Sequence, residues 1–385
     1  MHTLLLCAGA FVVLALVLLG VNLAALPRLS HQPPMPPATV LPSLSIVIPA
    51  RNEERDIAAA VRSHLAQDYG DFEVVVVEDR STDATGRILE ELAAGNSRLR
   101  IVPGEEPRPG WLGKPSALAR GAAAARGEVL LFADADVRYD SRCASEAVRH
   151  LTRLRIDLLA LVPRMEARGF WENVLMPNLL FLLYCGPAFL ANRDRARWLA
   201  IGGGAGNLVR RSAYEAIGGH AALKDSVIDD VKLALLLKHA GYRTQVVRAE
   251  DRIAVRMYRG FREVWNGFSK NAAYLFSGGV GILLFAFLAA TLLLSVLPLA
   301  VLVGAAAGAS VPAPDLLLAA LCFGLLVATR MALALAIGEP LWPAFTHPIL
   351  AVVWAGIIGH SLFLRVIRRR LTWRGREFDA RGARF

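Results

Sequence analysis

Between residues 44 and 133, short apolar runs alternate with stretches in which apolar residues recur at helical spacing. Continuous apolar runs of this length are typical of strands covered on both faces, and spacings of three and four residues are typical of helices packed on a sheet. The predicted strands are Leu44–Ile48, Phe72–Val77, Leu99–Val102 and Val129–Phe132, and the predicted helices are Ile57–Leu65, a segment around Ile88–Leu92, and Ser116–Ala125. This alternation predicts an α/β fold with a doubly wound, Rossmann-like parallel sheet.

Longer apolar runs lie at both ends of the chain. The segment from Met1 to about Pro27 is long enough to cross a bilayer as a helix. No Lys or Arg precedes it, whereas a signal peptide has a basic segment before its apolar core. Arg28 follows, which predicts an uncleaved anchor whose C-terminal end faces the cytoplasm. Three further apolar stretches precede an arginine-rich tail: Val280–Gly304, Leu316–Ile337 and Ile349–Leu364. The tail is expected to be cytoplasmic, so one of the last two stretches is expected to be re-entrant or interfacial.

The segment Phe170–Leu190 is nearly long enough to cross a membrane, but Glu172, Pro177 and Pro187 interrupt it. A crossing here would place Asp136, before the segment, and Asp230, after it, on opposite sides of the bilayer. We therefore interpret it as an interfacial segment that lies against the membrane and forms part of a lipid site. A buried core helix is the alternative.

Polar residues gather where the predicted strands end. Because the carboxyl ends of parallel strands meet at one edge of a sheet, these residues are expected to lie together, where a nucleotide would bind. Each could instead be a helix cap, a satisfied turn or a surface charge. The residues expected to contact the nucleotide are Pro49, Asn52, Glu53, Glu78, Asp79, Lys114 and Asp134.

Asp134 and Asp136 are one residue apart at the end of the fourth strand. Two carboxylates at such an edge suit a hard divalent cation, Mg²⁺ or Mn²⁺, that itself holds phosphate oxygens. A solvated turn is the alternative. Later in the chain, Asp229-Asp230 precedes a predicted helix that ends near Gly241, so these acids are either functional carboxylates at a helix N-terminus or N-caps.

Two further segments complete the set of candidate residues. The glycine-rich run around Gly204 would let the backbone approach a bound ligand, with simple flexibility as the alternative. The segment 256–271 mixes aromatic and cationic residues, as a helix near anionic lipid would, and Arg262 and Trp265 are candidates to reach a diphosphate.

Composition narrows the function classes. The 385 residues are 55% hydrophobic with a net charge of +10, which favours a membrane protein that docks on anionic phospholipid. The four cysteines are far apart and indicate neither a disulfide framework nor a zinc site. Neither a Gly-x-Gly-x-x-Gly after the first strand nor a Walker lysine is present, which argues against a dinucleotide oxidoreductase or a P-loop NTPase, and no base-reading nucleic-acid module is recognisable.

In this order, the motifs resemble those of a family 2 glycosyltransferase of the GT-A fold, over Leu44 to about Tyr274. They are Ile48-Pro49-Ala50-Arg51-Asn52-Glu53, Glu78-Asp79-Arg80-Ser81-Thr82-Asp83, Gly113-Lys114-Pro115-Ser116, Asp134-Ala135-Asp136 and Ile228-Asp229-Asp230-Val231. The nearest resemblance is to membrane-anchored members associated with carotenoid and hopanoid synthesis and with ceramide glucosylation. Glu78-Asp79 stands where many members have Asp-Asp, and Asp229-Asp230 where many have Glu-Asp, so both departures keep the carboxylates.

The resemblance implies an inverting, metal-dependent transfer of a single sugar from a nucleotide-diphosphate sugar to a hydroxyl of a membrane lipid, with an isoprenoid lipid (carotenoid or hopanoid) as the leading acceptor. It places the catalytic base at Asp230, with Asp229 beside it, and the donor sugar near the backbone at Gly204. The Gln-x-x-Arg-Trp motif of processive synthases is missing, and Arg262-Glu263-Val264-Trp265 is its nearest relative, which favours a single transfer. The alternatives are a glycosyltransferase acting on a polyprenyl phosphate, a glycerolipid or a sphingolipid, and a non-catalytic membrane protein that retains the fold to bind a partner.

The implied organisation is a multi-pass protein of the cell's inner membrane with a cytoplasmic catalytic domain. The predicted segments are a transmembrane anchor (1–27), a proline-rich linker (28–42), the GT-A domain (43–275, with a nucleotide-binding half 43–140 and an acceptor half 141–275), C-terminal membrane segments (278–364) and a basic tail (365–385). The sequence identifies neither the sugar nor the oligomeric state.

Overall fold

The computed structural model describes residues 1–31, 33, 40–275, 293–364, 370–373 and 376–379. The strands are β1 (Leu44–Ala50), β2 (Phe72–Glu78), β3 (Leu99–Pro103), β4 (Val129–Phe132), β5 (Val137–Tyr139), β6 (Leu158–Val162), β7 (Arg164–Met165), β8 (Asn207–Arg210), β9 (Thr244–Arg248), β10 (Ile253–Val255), β11 (Arg370–Trp373) and β12 (Arg376–Asp379). The helices are α1 (His2–Ala25), α2 (Ile57–Leu65), α3 (Thr85–Ala94), α4 (Gly113–Ala124), α5 (Cys143–Arg153), α6 (Phe170–Leu175), α7 (Pro177–Tyr184), α8 (Arg211–Ala216), α9 (Asp229–His239), α10 (Gly260–Leu275), α11 (Leu293–Ala306), α12 (Ala313–Ile337) and α13 (His347–Phe363).

Seven strands form one sheet in the order β3-β2-β1-β4-β8-β6-β9. The register aligns the end of β1 with the end of β2 (Ala50 opposite Glu78), and β4 pairs in parallel with β1 up to Phe132. The polar segments that follow these three strands therefore lie at one edge of the sheet, as predicted. A smaller sheet contains β5, β10 and β7.

One feature departs from the predicted parallel sheet. β8 runs antiparallel to both of its neighbours, β4 and β6. The glycine-rich segment at 202–206 leads directly into β8, so Asn207 is the first residue of a strand and not part of the loop. The fold is the predicted α/β Rossmann-like GT-A type with this one reversed strand.

The pattern of apolar residues predicted the first strands and helices close to their observed bounds. β4 and α2 have the predicted bounds, while β1 continues through Pro49 to Ala50 and α4 begins at Gly113, earlier than predicted. The strands are apolar because both faces are covered: Ile46, Val75 and Leu131 are fully buried.

The contacts divide the chain into two compact units. One comprises residues 26–166, 190–257 and 372–385 and contains the seven-stranded sheet. The other comprises residues 1–25, 167–189 and 258–371 and contains the long apolar helices. Residues 167–189 and 258–275, which the sequence placed with the GT-A domain, thus pack among the apolar helices.

Within the described ranges, three helical segments are long and apolar enough to cross a membrane: His2–Ala25, Ala313–Ile337 and Trp342–Phe363. They match the predicted anchor and the last two predicted C-terminal stretches. The first C-terminal stretch, Val280–Gly304, lies partly outside the described residues, as does most of the basic tail; from Leu293 it is the helix α11.

The interrupted segment at Phe170–Leu190 does not form a single helix. It breaks at Met176 into α6 and α7, because Pro177 occupies the first turn of the second helix and cannot continue the first. Each piece is shorter than a bilayer requires. Its position at the membrane interface stays a prediction.

Gly121 allows α4 to pack closely on the sheet. A methyl group at this position would lie 2.4 Å from Val47 Cγ1 and 3.0 Å from Val77 Cγ2, inside van der Waals contact. Both valines are fully buried in β1 and β2. The small residue therefore sets how near the helix comes to the sheet.

Replacing Gly121 by alanine should lower the free energy of unfolding by about 1–3 kcal/mol, because the added methyl group forces a packed core apart. Thermal unfolding of the purified protein measures the effect. Gly95→Ala is the matched control, because no atom lies within 4 Å of the added Cβ there. Equal midpoints for the two variants would mean that the α4 contact tolerates the methyl group.

His64 is a buried, unpaired titratable group in the same unit. It is fully buried on α2 and packs against Tyr139 in a tilted arrangement, with ring centroids 4.5 Å apart and planes at 59°. Among the described residues, neither ring nitrogen has a hydrogen-bond partner. Burial lowers the pKa of His64 to about 3 from 6.5, because the imidazolium ion would lose its hydration.

The stability of the protein should therefore fall as the pH drops from about 6.5 towards 3, because the unfolded chain then binds a proton that the folded chain does not. At about two pH units below the unfolded pKa this amounts to roughly 2.7 kcal/mol. His64→Leu should flatten this part of the profile of unfolding midpoint against pH. Ile57→Val, a non-titrating change on the same helix, should lower the midpoint equally at all pH values, and a profile of His64→Leu parallel to wild type would contradict the assignment.

Candidate active site

The candidate site lies at the carboxyl end of β4, where four charged side chains from three parts of the chain converge. Lys114 Nζ lies 2.7 Å from Asp134 Oδ1 and 3.7 Å from Asp229 Oδ1. Asp230 lines the same pocket. Lys114 is in the first turn of α4, Asp134 is the second residue after β4, and the other two acids begin α9.

The site carries an excess of negative charge. Burial raises the pKa of Asp229 to about 7; Lys114 opposes this rise, and Asp230 and Asp134 add to it. Burial by itself lowers the pKa of Lys114, but the surrounding carboxylates together raise it well above its ordinary value. One ammonium group thus faces three carboxylates, an arrangement that favours a further cation or a proton.

The N-cap alternative for the two later acids is wrong. The N-cap position of α9 is Ile228, and Asp229 and Asp230 are the first two helical residues. Asp230 Oδ1 accepts a hydrogen bond from the N–H of Val231 at 2.8 Å. The side chain of Asp229 is 5% exposed, whereas Asp230 is only partly buried, so Asp230 is the more accessible carboxylate.

The glycine-rich loop packs against these acids. A methyl group at Gly204 would lie 2.0 Å from Asp134 Oδ2, and one at Gly202 would lie 2.1 Å from the Asp230 carbonyl oxygen. The N–H of Asp134 donates to the Gly204 carbonyl at 2.8 Å. Flexibility therefore does not explain these glycines, since their missing side chains make room for Asp134 and Asp230; contact between Gly204 and a donor sugar stays a prediction.

Two site residues were not predicted from the sequence. Asn207 donates to the Asp230 carbonyl at 3.0 Å and accepts from the N–H of Gly203 at 3.3 Å, so it joins the loop to α9. His220 is buried, with Nε2 3.9 Å from Asp229 Oδ2. The only sequence signal for His220 is the preceding pair of glycines, which indicates a turn and not a contact with an acid.

Tyr214 orients His220. The backbone N–H of His220 donates to Tyr214 Oη at 3.0 Å, and the same hydroxyl lies 2.9 Å from Nδ1. Burial, and next the charge of Lys114, lower the pKa of His220 to about 3, so the ring is neutral. With the Tyr214 hydroxyl donating to Nδ1, the remaining proton is on Nε2 and faces Asp229.

The loops after β1 and β2 bind each other at the same edge. Asn52 Oδ1 accepts from the N–H of Thr82 at 2.8 Å, and the N–H of Glu53 donates to Thr85 Oγ1 at 2.8 Å. Asn52 has a φ of 52°, a left-handed conformation that asparagine tolerates better than most residues. These contacts hold the two loops together at this edge of the sheet.

Glu78 and Asp79 differ in their surroundings. The Glu78 carboxylate accepts from the N–H of Ser81 at 2.6 Å and of Arg80 at 3.2 Å, so it closes the turn after β2. Asp79 is 4% exposed, and burial raises its pKa, while Arg51 and Arg80 oppose the rise. The alternative of a satisfied turn therefore holds for Glu78. Contact of either residue with a nucleotide stays a prediction.

The remaining predicted residues are placed as follows. Pro49 lies in β1 opposite Val77, and Asp136 is half-buried in the turn before β5. Arg262 and Trp265 lie on α10, in the unit of apolar helices, where Trp265 Nε1 donates to His360 Nδ1 at 3.0 Å. Their proposed contact with a diphosphate stays a prediction.

Asp134 and Asp136 are the residues that could hold a metal ion. Within the part of the chain that the structure describes, no group of three or more His, Cys, Asp or Glu residues has the geometry of a protein-only metal site. Mg²⁺ commonly takes one or two carboxylates and completes its shell with substrate phosphates and water. The donor set and the negative charge of the pocket fit a cation that binds together with a nucleotide.

Comparison with known proteins identifies the domain. Residues 45–218 match the family model "Glycosyl transferase family 2". The 4,4'-diaponeurosporenoate glycosyltransferase of Staphylococcus haemolyticus is 26% identical over 235 residues, which is 60% of this chain and 61% of the relative; that of Staphylococcus aureus is 28% identical over 233 residues, 60% of each. The match thus spans about three fifths of these relatives' length.

A solved structure shares the fold. The mannosyltransferase PcManGT of Pyrobaculum calidifontis, solved in complex with GDP-Man and Mn²⁺, superposes with a TM-score of 0.57 at 22% sequence identity, covering 92% of this chain and 98% of that one. The likeness supports the GT-A fold. Residues 45–218 therefore belong to glycosyl transferase family 2, and the chain is distantly related to a carotenoid glycosyltransferase.

Proposed function

We propose that this protein transfers a single sugar from a nucleoside-diphosphate donor to a hydroxyl group of a membrane lipid, with inversion at the anomeric carbon. The carrying observation is the convergence of Asp134, Asp229 and Asp230 around Lys114 at the strand edge where nucleotides bind in α/β sheets. An isoprenoid lipid, a carotenoid or a hopanoid, is the proposed acceptor. The carotenoid glycosyltransferases among the relatives and the long apolar helices support this choice.

The donor would lie across the ends of β1, β2 and β4. Glu53 and Asp79 offer carboxylates to its ribose and base, and Lys114 offers an ammonium group to its diphosphate. Asp134 and Asp136 would hold Mg²⁺ or Mn²⁺, which supplies charge neutralisation for the departing diphosphate. When the donor is bound, Lys114 can exchange its contact with Asp134 for a phosphate oxygen while Asp229 remains beside it.

Asp230 is the proposed base. The acceptor hydroxyl attacks the anomeric carbon from the face opposite the diphosphate, its proton passes to Asp230, and the bond from that carbon to the phosphate oxygen breaks. Asp230 suits this role because it is more exposed than Asp229 and begins α9, where the helix dipole favours a carboxylate. Asp229, enclosed by Lys114 and His220, is assigned to positioning Lys114.

The proposed location is the inner membrane, with the GT-A domain on the cytoplasmic side. Arg28 lies three residues beyond the end of α1, and positive residues flank the cytoplasmic ends of membrane helices. The same side supplies nucleotide sugars.

Asp230→Asn should lower kcat by about 100- to 10,000-fold, the range that general-base catalysis supplies, with the KM for the donor nearly unchanged. Steady-state kinetics with nucleotide sugar and a membrane lipid extract measures both constants. Glu215→Gln, at an acid 61% exposed and outside the pocket, is the control.

Two other outcomes for Asp230→Asn are informative. Wild-type turnover would exclude a base at this position and favour a phosphate acceptor, such as a polyprenyl phosphate, which needs none. Normal turnover with weak donor binding would instead move Asp230 into the nucleotide site.

Asp136→Ala should abolish the Mn²⁺-dependent part of nucleoside-diphosphate binding while the protein still folds and inserts, because one of the two proposed carboxylate ligands is lost. Isothermal titration with and without Mn²⁺ measures it directly, independently of turnover. Asp140→Ala, at the other end of β5, is the matched control. Undiminished enhancement by Mn²⁺ in Asp136→Ala would remove this residue from the metal site.

A further inference from the structure

A short loop in the unit of the seven-stranded sheet displays three arginines and a tryptophan. We call residues 193–198 the arginine loop. It folds into consecutive turns, in which the N–H of Ala196 donates to the Arg193 carbonyl at 3.0 Å and the N–H of Leu199 donates to the Ala196 carbonyl at 3.1 Å. Arg193, Arg195 and Arg197 are exposed.

The exposure of Trp198 is unusual for its chemistry. This side chain is 49% exposed, although most of a tryptophan ring is normally buried in a water-soluble protein. The loop contains one acid, Asp194, whose carboxylate lies 3.8 Å from Arg243 Nε. The arginine loop and Arg243 together thus present a surface of four arginines, one acid and one aromatic ring.

The base of the loop is fixed to the last strand of the sheet. Asn192 Oδ1 accepts from the N–H of Val246 at 2.7 Å, and its Nδ2 donates to the Val246 carbonyl at 3.0 Å. In addition, Lys238 Nζ donates to the Ala191 carbonyl. The Asn192 side chain therefore binds the backbone of β9 as a neighbouring strand would, and it holds the loop in place.

The same strand is tied to the residues that follow α1. The N–H of Arg248 donates to the Pro27 carbonyl at 2.8 Å, and Arg248 forms a β-bridge with Arg28. Pro27 is two residues beyond Ala25, the last residue of this candidate membrane span. Val246 is two residues before Arg248, roughly 7 Å along a strand. The anchor of the arginine loop is thus a short distance from the point where the chain leaves α1.

We propose that the arginine loop docks on anionic phospholipid headgroups of the membrane that α1 crosses. The guanidinium groups match phosphate oxygens in charge and geometry, and tryptophan is favoured at the level of the headgroups because its ring is apolar and its N–H is polar. The proposal depends on α1 spanning the membrane and not on the sugar, the acceptor or the catalytic roles above. It adds a lipid contact on the GT-A unit to the membrane helices themselves.

The test uses the full-length protein in lipid nanodiscs that contain brominated phosphatidylcholine, which quenches tryptophan fluorescence on contact. The signal of Trp198 is the difference between wild type and Trp198→Phe, a change at an exposed ring. We expect this signal to be quenched in discs that contain phosphatidylglycerol and to be several-fold less quenched in discs of phosphatidylcholine alone. Raising the salt from about 0.1 M to 1 M, which shortens the screening length from about 10 Å to 3 Å, should release the loop.

The triple variant Arg193→Gln, Arg195→Gln, Arg197→Gln should lose most of the quenching in the anionic discs. A matched triple variant at exposed arginines elsewhere in the same unit, Arg62→Gln, Arg87→Gln, Arg142→Gln, should keep it. Unquenched Trp198 in anionic discs, or equal quenching in the two triple variants, would overturn the proposal. Release of the signal by millimolar inorganic phosphate at constant ionic strength would also overturn it, because the loop would then be a site for free phosphate.

Discussion

The ammonium group of Lys114 is the charge on which the geometry of the site depends. It lies between Asp134, which follows β4, and Asp229, which begins α9, and so joins elements that are far apart in the chain. Without it, the buried carboxyl group of Asp229 would face Asp134 and Asp230 with no cation beside it, which is costly where access to water is limited. Burial raises the pKa of Asp229, the neighbouring acids Asp230 and Asp134 add to the rise, and Lys114 alone does not offset it. That imbalance is the physical reason for expecting a second cation when a diphosphate is bound.

The backbone around this charge cluster is packed as closely as the side chains. Gly202 and Gly204 bring the loop into contact with α9 and with Asp134, and Asn207 fastens the loop to the start of α9. The loop comes this near because β8, to which it leads, is inserted beside β4. The reversed strand thus brings the glycine-rich loop to the edge of the sheet where Asp134 lies.

The sheet that carries the site also holds the chain as it leaves α1. Pro27 and Arg28 bind the end of β9, the strand at one edge of the sheet, so the chain is attached to the sheet where the predicted proline-rich linker begins. Such an attachment would suit the proposed transfer to a lipid, because that acceptor would be confined to the bilayer while the donor is dissolved in water. The proposed arginine loop would add an electrostatic contact at the same edge.

Local pattern determined much of this protein. The continuous apolar run of β4, closed by Gly127 and Asp134, and the helical spacing of α2 were sufficient to give both elements their bounds, because periodicity reflects which faces of a segment are buried. The long apolar runs marked α1, α12 and α13, since no soluble helix needs such a length of apolar residues. The order of the motifs indicated the resemblance to family 2 glycosyltransferases.

Only the tertiary structure decided the direction of β8, the packing role of Gly204 and the presence of Asn207 and His220 in the site. A glycine-rich run followed by a short apolar stretch reads locally as a loop, and strand direction is set by hydrogen bonds to β4 and β6, distant in sequence. His220 approaches Asp229 because Tyr214 orients its ring and the turn after α8 packs beside α9. Local sequence records whether a residue is buried in its own helix or strand, but the partner that a polar side chain finds depends on how distant segments pack.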